Sequence, residues 1–83
     1  YIGNIAHIDD TSIRLNMRTR STFLSPADFE LRHIGSDEVA SDICALEFPS
    51  EKIVILHLSE SLKSGWYDLW LDRRKISFGF TAP

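Results

Sequence analysis

Eighty-three residues, 43% hydrophobic and 25% charged, with only four glycines and three prolines, describe one ordinary globular domain and exclude a disordered or collagen-like segment. A chain of this size buries only about 60 to 65% of its unfolded surface, so it builds a single modest core. Nine basic against twelve acidic side chains give a net charge of −3, without the concentrated positive field that phosphate binding demands, which argues against nucleic acid as a partner.

The single cysteine, Cys44, leaves no internal disulfide and no zinc pair, and reads as a small buried hydrophobe. No apolar run approaches the roughly 20 residues of a membrane span. The chain opens on Tyr1 and closes on Thr81-Ala82-Pro83, and the expectation is one module, residues 1–83, cut from a larger multidomain protein.

Short alternating segments separated by turn residues are the signature of strands. Residues 2–8 form a weak first strand, and Asp9-Asp10-Thr11 a polar turn. Residues 12–17 alternate cleanly, with Ile13, Leu15 and Met17 on one side and Ser12, Arg14 and Asn16 on the other. Ser25 followed by Pro26 reads as an N-cap and first helical position, hence one helical turn. Residues 29–33 resume the alternation with Phe29 and Leu31 inward, and Gly35-Ser36-Asp37-Glu38 is a loop.

Residues 43–48 place Cys44, Leu46 and Phe48 on one side, and Pro49-Ser50-Glu51 ends the strand because proline donates no ladder hydrogen bond. Residues 53–58 are apolar on both parities except His57, which marks the most buried strand, central in its sheet. Residues 59–64 read as a helical turn or corner closed by Gly65. Residues 66–71 and 76–80 then form a hairpin through Asp72-Arg73-Arg74, with Ile76, Phe78 and Phe80 completing the core. Seven strands about ten residues apart and no long helix define an all-β fold, an Ig-like antiparallel β-sandwich of about seven short strands. A small barrel is the competing architecture.

The chemistry search is mostly negative. No nucleophile elbow, phosphate-binding glycine loop, dinucleotide fingerprint or H-E-x-x-H pair occurs, so no catalytic residue and no cofactor is assigned. His7, His33 and His57 fall on different strands without metal-ligand spacing, and none is taken as a metal ligand. Asp9-Asp10 fits a solvated turn better than a calcium or glycosidase carboxylate pair, because a sandwich this small has little room for a deep cleft. Arg73-Arg74-Lys75 and Arg18-Thr19-Arg20 read as solvated charge.

The informative segment is Gly65-Trp66-Tyr67-Asp68-Leu69-Trp70-Leu71. A two-residue side-chain period puts Trp66, Asp68 and Trp70 on one face and the apolar set Tyr67, Leu69 and Leu71 on the other. The tryptophan face is therefore expected to point outward. Indole rings about 6.5 to 7 Å apart along a strand can stack on the apolar faces of sugars, with a carboxylate between them accepting bonds from sugar hydroxyls. Packing against a neighbouring domain, or simple core packing, competes with that reading. Trp66, Asp68 and Trp70 are the candidate ligand-binding residues.

Two resemblances bear on this segment. Leu62-Lys63-Ser64-Gly65-Trp66-Tyr67-Asp68-Leu69 resembles the L-x-x-G-x-Y-x-L pattern of bacterial Ig-like and fibronectin-like modules, which implies that Gly65 permits a tight turn and Tyr67 is the tyrosine closing the corner between sheets. Ala6 to Leu15, Phe29-Glu30-Leu31 and Lys75-Ile76-Ser77-Phe78-Gly79 are similar to segments of the N-terminal accessory β-domain of bacterial type I pullulanases. The sequence departs from that pattern in Leu15, where valine recurs, and in a shorter tail. This likeness implies a non-catalytic accessory module of a polysaccharide-processing enzyme, with α-glucan or another polysaccharide and a neighbouring domain of the same chain as partners. Its mechanism would be tethering of polymer, with Arg14 or Arg32 adding contacts. The alternative is a structural Ig-like spacer or interaction domain of a cell-surface or phage-type protein, with the same aromatic face docked on a neighbour.

Overall fold

The computed structural model describes residues 2–83. It is an all-β sandwich of two four-stranded antiparallel sheets, built from β1 (Ile2–Ile8), β2 (Ser12–Met17), β3 (Phe29–His33), β4 (Val39–Ser41), β5 (Ile43–Ser50), β6 (Ile53–Leu58), β7 (Gly65–Leu71) and β8 (Arg74–Phe80). The first sheet runs β1-β2-β6-β5 and the second β4-β3-β7-β8. The first order is the ABED sheet of an Ig constant domain; the second is its CFG sheet with one more strand beside C, as in variable-type domains. No helix among the described residues is long and apolar enough to cross a membrane.

Alternating burial along β2 and β6 produces the core directly. Ile13, Leu15, Val54 and Leu56 are fully buried, facing Leu31 and Leu69 of the second sheet, which are also fully buried and lie directly opposite one another across the β3–β7 ladder. Antibody domains place a cysteine two residues after the corner tyrosine. Here that position is Leu69, and aliphatic packing replaces the disulfide.

The first strand solves a mismatch between sequence and pleat. Its half-buried residues Ile2, Ile5 and Ile8 are three apart, which no regular strand could keep on one face. Two register shifts against β2, between Ile2 and Asn4 and between Ile5 and His7, absorb the surplus residues and return each isoleucine to the core side.

Several expectations need correction. Residues 39–41 form β4, a three-residue strand that raises the count to eight. A register shift between Ile43 and Ala45 breaks the expected parity of β5: Leu46 and Phe48 pack on the core with Ile43, whereas Cys44 is exposed and its thiol donates to the His57 carbonyl at 3.2 Å. Cys44 is thus not a buried hydrophobe. The strand also continues through Pro49 to Ser50, which β5 tolerates because it is an edge strand. Residues 59–64 contain no helical turn, and Gly65 is already paired with Phe80 inside β7. The last hairpin is tighter than expected, since Leu71 pairs with Arg74 and only Asp72 and Arg73 lie between. Asp72 has φ 58°, the left-handed conformation that short hairpin loops require and aspartate tolerates. The turn at Ser25-Pro26 forms as a short 3-10 segment, Pro26–Asp28, with the Ser25 amide donating to the Asp28 carboxylate at 2.8 Å.

The β6–β7 connection is closed by Tyr67. Its ring is 3% exposed, sits 5.7 Å from Phe78 and 5.6 Å from His33 between centroids, and its hydroxyl donates to the Lys63 carbonyl at 2.6 Å. That backward bond over four residues is the tyrosine corner. Tyr67→Phe should lower unfolding free energy by about 1 kcal/mol, the net value of one hydrogen bond. Leu69→Ala should cost about 2 to 5 kcal/mol through lost burial and a residual cavity. Chemical denaturation of both variants checks the pair, with the larger loss expected for Leu69→Ala.

Candidate functional site

Trp66, Asp68 and Trp70 share the outer face of the second sheet, as the alternation of β7 requires, while Tyr67 and Leu69 are sealed inside. The three do not form one surface. Trp66 is 62% exposed, whereas Asp68 is 2% exposed and Trp70 is half-buried. The cross-strand neighbours decide these fates: Trp66 lies opposite Gly79, Asp68 opposite Ser77 and Arg32, and Trp70 opposite Lys75 and Glu30.

Gly79 lets the Trp66 indole lie on the sheet. A Cβ at position 79 would stand 3.2 Å from two indole carbons, closer than carbon atoms normally approach, so only glycine accommodates the ring there without a shift. One face of the indole is spent on β8. The Ile34 amide donates to the Trp66 carbonyl at 3.3 Å, which brings the half-exposed Ile34 beside it.

Asp68 is consumed by the fold. Its carboxylate accepts from the Ser77 hydroxyl at 2.5 Å and from the Gly35 amide at 3.1 Å, and Lys75 Nζ stands 4.0 Å away. Gly35, in the β3–β4 loop, adopts φ 65°, a conformation that glycine adopts freely. The Ser77 hydrogen bond first, then the Gly35 amide, with Lys75 and Arg32 adding attraction, hold the Asp68 carboxyl below the ordinary carboxylate range.

Trp70 is covered by cations. The Arg32 guanidinium lies 5.0 Å and Lys75 Nζ 5.7 Å from its ring centroid, both within cation–π range. Arg32 is itself held by Glu30 at 2.7 Å and approached by Asp37 at 3.6 Å. Its bond to Glu30 lowers the carboxyl's pKa and raises its own. Arg14 belongs to the other sheet, between His7 and Ile55, so it joins neither Trp66 nor the Arg32–Trp70 pair. Sequence reasoning missed Gly79, Ser77 and Gly35. The first two were detectable only from the hairpin register; no local signal pointed to Gly35.

On the first sheet and its loops the ionisable groups among the described residues make only local bonds. His57 Nε2 and Glu47 Oε1 are 3.1 Å apart on the other sheet. Asp9 accepts from the amides of Thr11 and Ser12 at 3.0 and 2.8 Å, the bonding of a turn-forming aspartate. Among the described residues, no group of three or more His, Cys, Asp and Glu side chains is arranged to hold a metal ion.

The class defined by this geometry is an Ig-like β-sandwich. No family model matches the chain, and a search of curated proteins found no match. Among solved structures, a structure of surface layer protein SbsC, domains 1-6, contains a similar fold, with TM-score 0.77 and 13% identity over 99% of this chain. The chain spans only 14% of the length of that one, and at this identity the likeness is one of fold.

The Asp68 network carries a pH signature. Its folded pKa lies below the unfolded value of about 3.9, so its contribution is complete above that value and is lost as pH falls through the lower folded value. Asp68→Asn should lower the thermal midpoint at neutral pH and flatten the acid limb of stability against pH. Calorimetry from pH 7 down to about 2 checks it.

Proposed function

We propose that this chain is a structural Ig-like module, a spacer or protein-contact domain of a larger cell-surface type protein, with no reaction of its own. The observation that carries the reading is the internal commitment of Asp68 and Trp70. A glycan platform needs several rings and polar groups presented together, and here one carboxylate is sealed and one indole lies beneath two cations. Trp66 remains, with Ile34 beside it. A single exposed indole with an aliphatic neighbour resembles the anchor of a protein contact, in which one or two large residues supply most of the energy. The likeness in fold to part of a surface layer protein supports the same reading.

The second reading is an accessory module that binds α-glucan or another polysaccharide, as the resemblance to pullulanase accessory domains implies. It is favoured by one observation: the Trp66 ring lies flat over Gly79 and so presents a full face for stacking. Titration with maltooligosaccharides, followed by tryptophan emission and amide chemical shifts, separates the two. The structural reading expects no saturable response at millimolar sugar in the wild-type domain. Saturable quenching that disappears in Trp66→Ala, whose fold should survive because the ring is largely solvent-exposed, would establish glycan binding instead.

A further inference from the structure

At the end of the second sheet away from Trp66, the β2–β3 loop and the β7–β8 turn border an open groove of about 910 Å³, within the size range of ligand sites. Its apolar floor includes Met17, Leu24, Phe29, Ile43 and Leu71. Phe23 stands at the rim, 79% exposed, with Val39, 46% exposed, also lining the groove.

The loop that displays Phe23 is tied down on both sides. Ser21 is 1% exposed, its amide donates to the Glu51 carbonyl at 2.8 Å, and the Leu24 amide returns to the Ser21 carbonyl at 3.1 Å. The bond between the Ser25 amide and Asp28 fixes the next step of the chain. The backbone that carries Phe23 is thereby fixed, which lowers the ordering cost of a contact residue.

The polar lining has a sign. Asp28, Glu30, Asp42 and Asp72 line the groove with Arg32 and Arg74, four carboxylates and two cations, a local charge of −2; Glu30 is already bonded to Arg32 and Asp28 to the Ser25 amide. The wall also holds the two buried side-chain donors without an acceptor among the described residues, Trp70 Nε1 and Arg32 Nε. Buried donors are normally satisfied. The Arg32 side chain, 24% exposed, overlies the indole.

We propose that the groove between the β2–β3 loop and the β7–β8 turn binds an extended cationic segment of a partner polypeptide, with Phe23 as the apolar anchor, Asp42 and Asp72 pairing with its basic side chains, and its backbone carbonyls facing Trp70 and Arg32. Alternating basic and apolar side chains suit the site, because an extended chain points successive residues to opposite sides. One side meets the apolar floor and the other the acidic rim. Attraction of this kind speeds encounter and weakens with salt.

The test uses a short synthetic peptide of alternating lysine and valine, its glutamate–valine counterpart, and the Trp66→Phe domain, in which Trp70 is the only tryptophan. Expected results are saturable binding of the lysine peptide, a change in Trp70 emission, and amide shifts concentrated in residues 19–28 and 70–74. Phe23→Ser, which alters an exposed side chain and should fold, is expected to weaken binding about tenfold, the scale of an interface hot spot. The combined variant Asp42→Asn, Asp72→Asn is expected to weaken it several-fold and reduce its salt dependence. The proposal is overturned by absence of saturable binding at millimolar peptide, by equal binding of the glutamate peptide, by unchanged affinity in Phe23→Ser, or by shifts centred on residue 66. Self-association of the domain through these same residues would assign the groove to a second copy and overturn it as well. None of these outcomes bears on the glycan titration, which reads the opposite end of β7.

Discussion

A carboxylate with 2% of its surface open to water must find its hydrogen bonds inside the protein, and the way Asp68 does so organises the outer half of the second sheet. Burying an unpaired charge costs several kcal/mol, so every element that covers Asp68 must also bring it a donor or a cation. The β3–β4 loop brings the Gly35 amide, β8 brings the Ser77 hydroxyl, and Lys75 approaches from the same strand. Two separate pieces of chain converge on one side chain.

The inner face of β7 is fixed by a different device. Tyr67 joins the apolar core through its ring and the β6–β7 corner through its hydroxyl, so one residue sets both the depth of the strand and the position at which the chain enters it. With Tyr67 and Asp68 adjacent, opposite faces of a single strand are pinned by consecutive residues. Register in a sheet with one buried face is strongly specified, because a slip of one residue exchanges the faces. Here a slip would expose Tyr67 and Leu69 to water and drive Trp66 and Trp70 into the core. The Leu15, Leu31 and Leu69 cluster can therefore serve where antibody domains use a cross-sheet disulfide.

The fold was legible wherever alternation was uninterrupted. In β2, β3 and β7 apolar residues recur every second position, and the sequence boundaries and inward residues agree with the structure to within a residue; β6, apolar on nearly every position, was legible as a strand with the same bounds. It was illegible where a bulge resets parity, as at Cys44, or where a strand has three residues and no period to display, as at Val39–Ser41. The candidate site failed to read clearly for a more specific reason. A loop of three residues at 72–74 would set Phe78 opposite Asp68 and Ser77 opposite Leu69, mixing polar and core faces; the two-residue loop instead sets Ser77 opposite Asp68 and Phe78 opposite Tyr67. The choice of loop length decides whether Asp68 looks outward to solvent or finds its partner on the next strand. Gly35 lies 33 residues from Asp68 in sequence, beyond the reach of any local pattern.

The two tryptophans show how far identical residues on one face of one strand can diverge. Trp66 and Trp70 share parity and chemistry, and their difference lies in what stands across the ladder. Opposite Trp66 is Gly79, which offers only backbone, so the ring settles on the strand and its outer face remains in water. Opposite Trp70 is Lys75, with Arg32 reaching over from β3, so its face is filled by cations that also answer the charge of Asp68. Arg32 thereby couples the indole, the buried carboxylate and Glu30, and any ligand that displaces it perturbs all three. An exposed ring at one end and a cation-covered ring bordering a groove at the other make the outer face of this sheet two surfaces with different chemistries, joined by a carboxylate that takes part in neither.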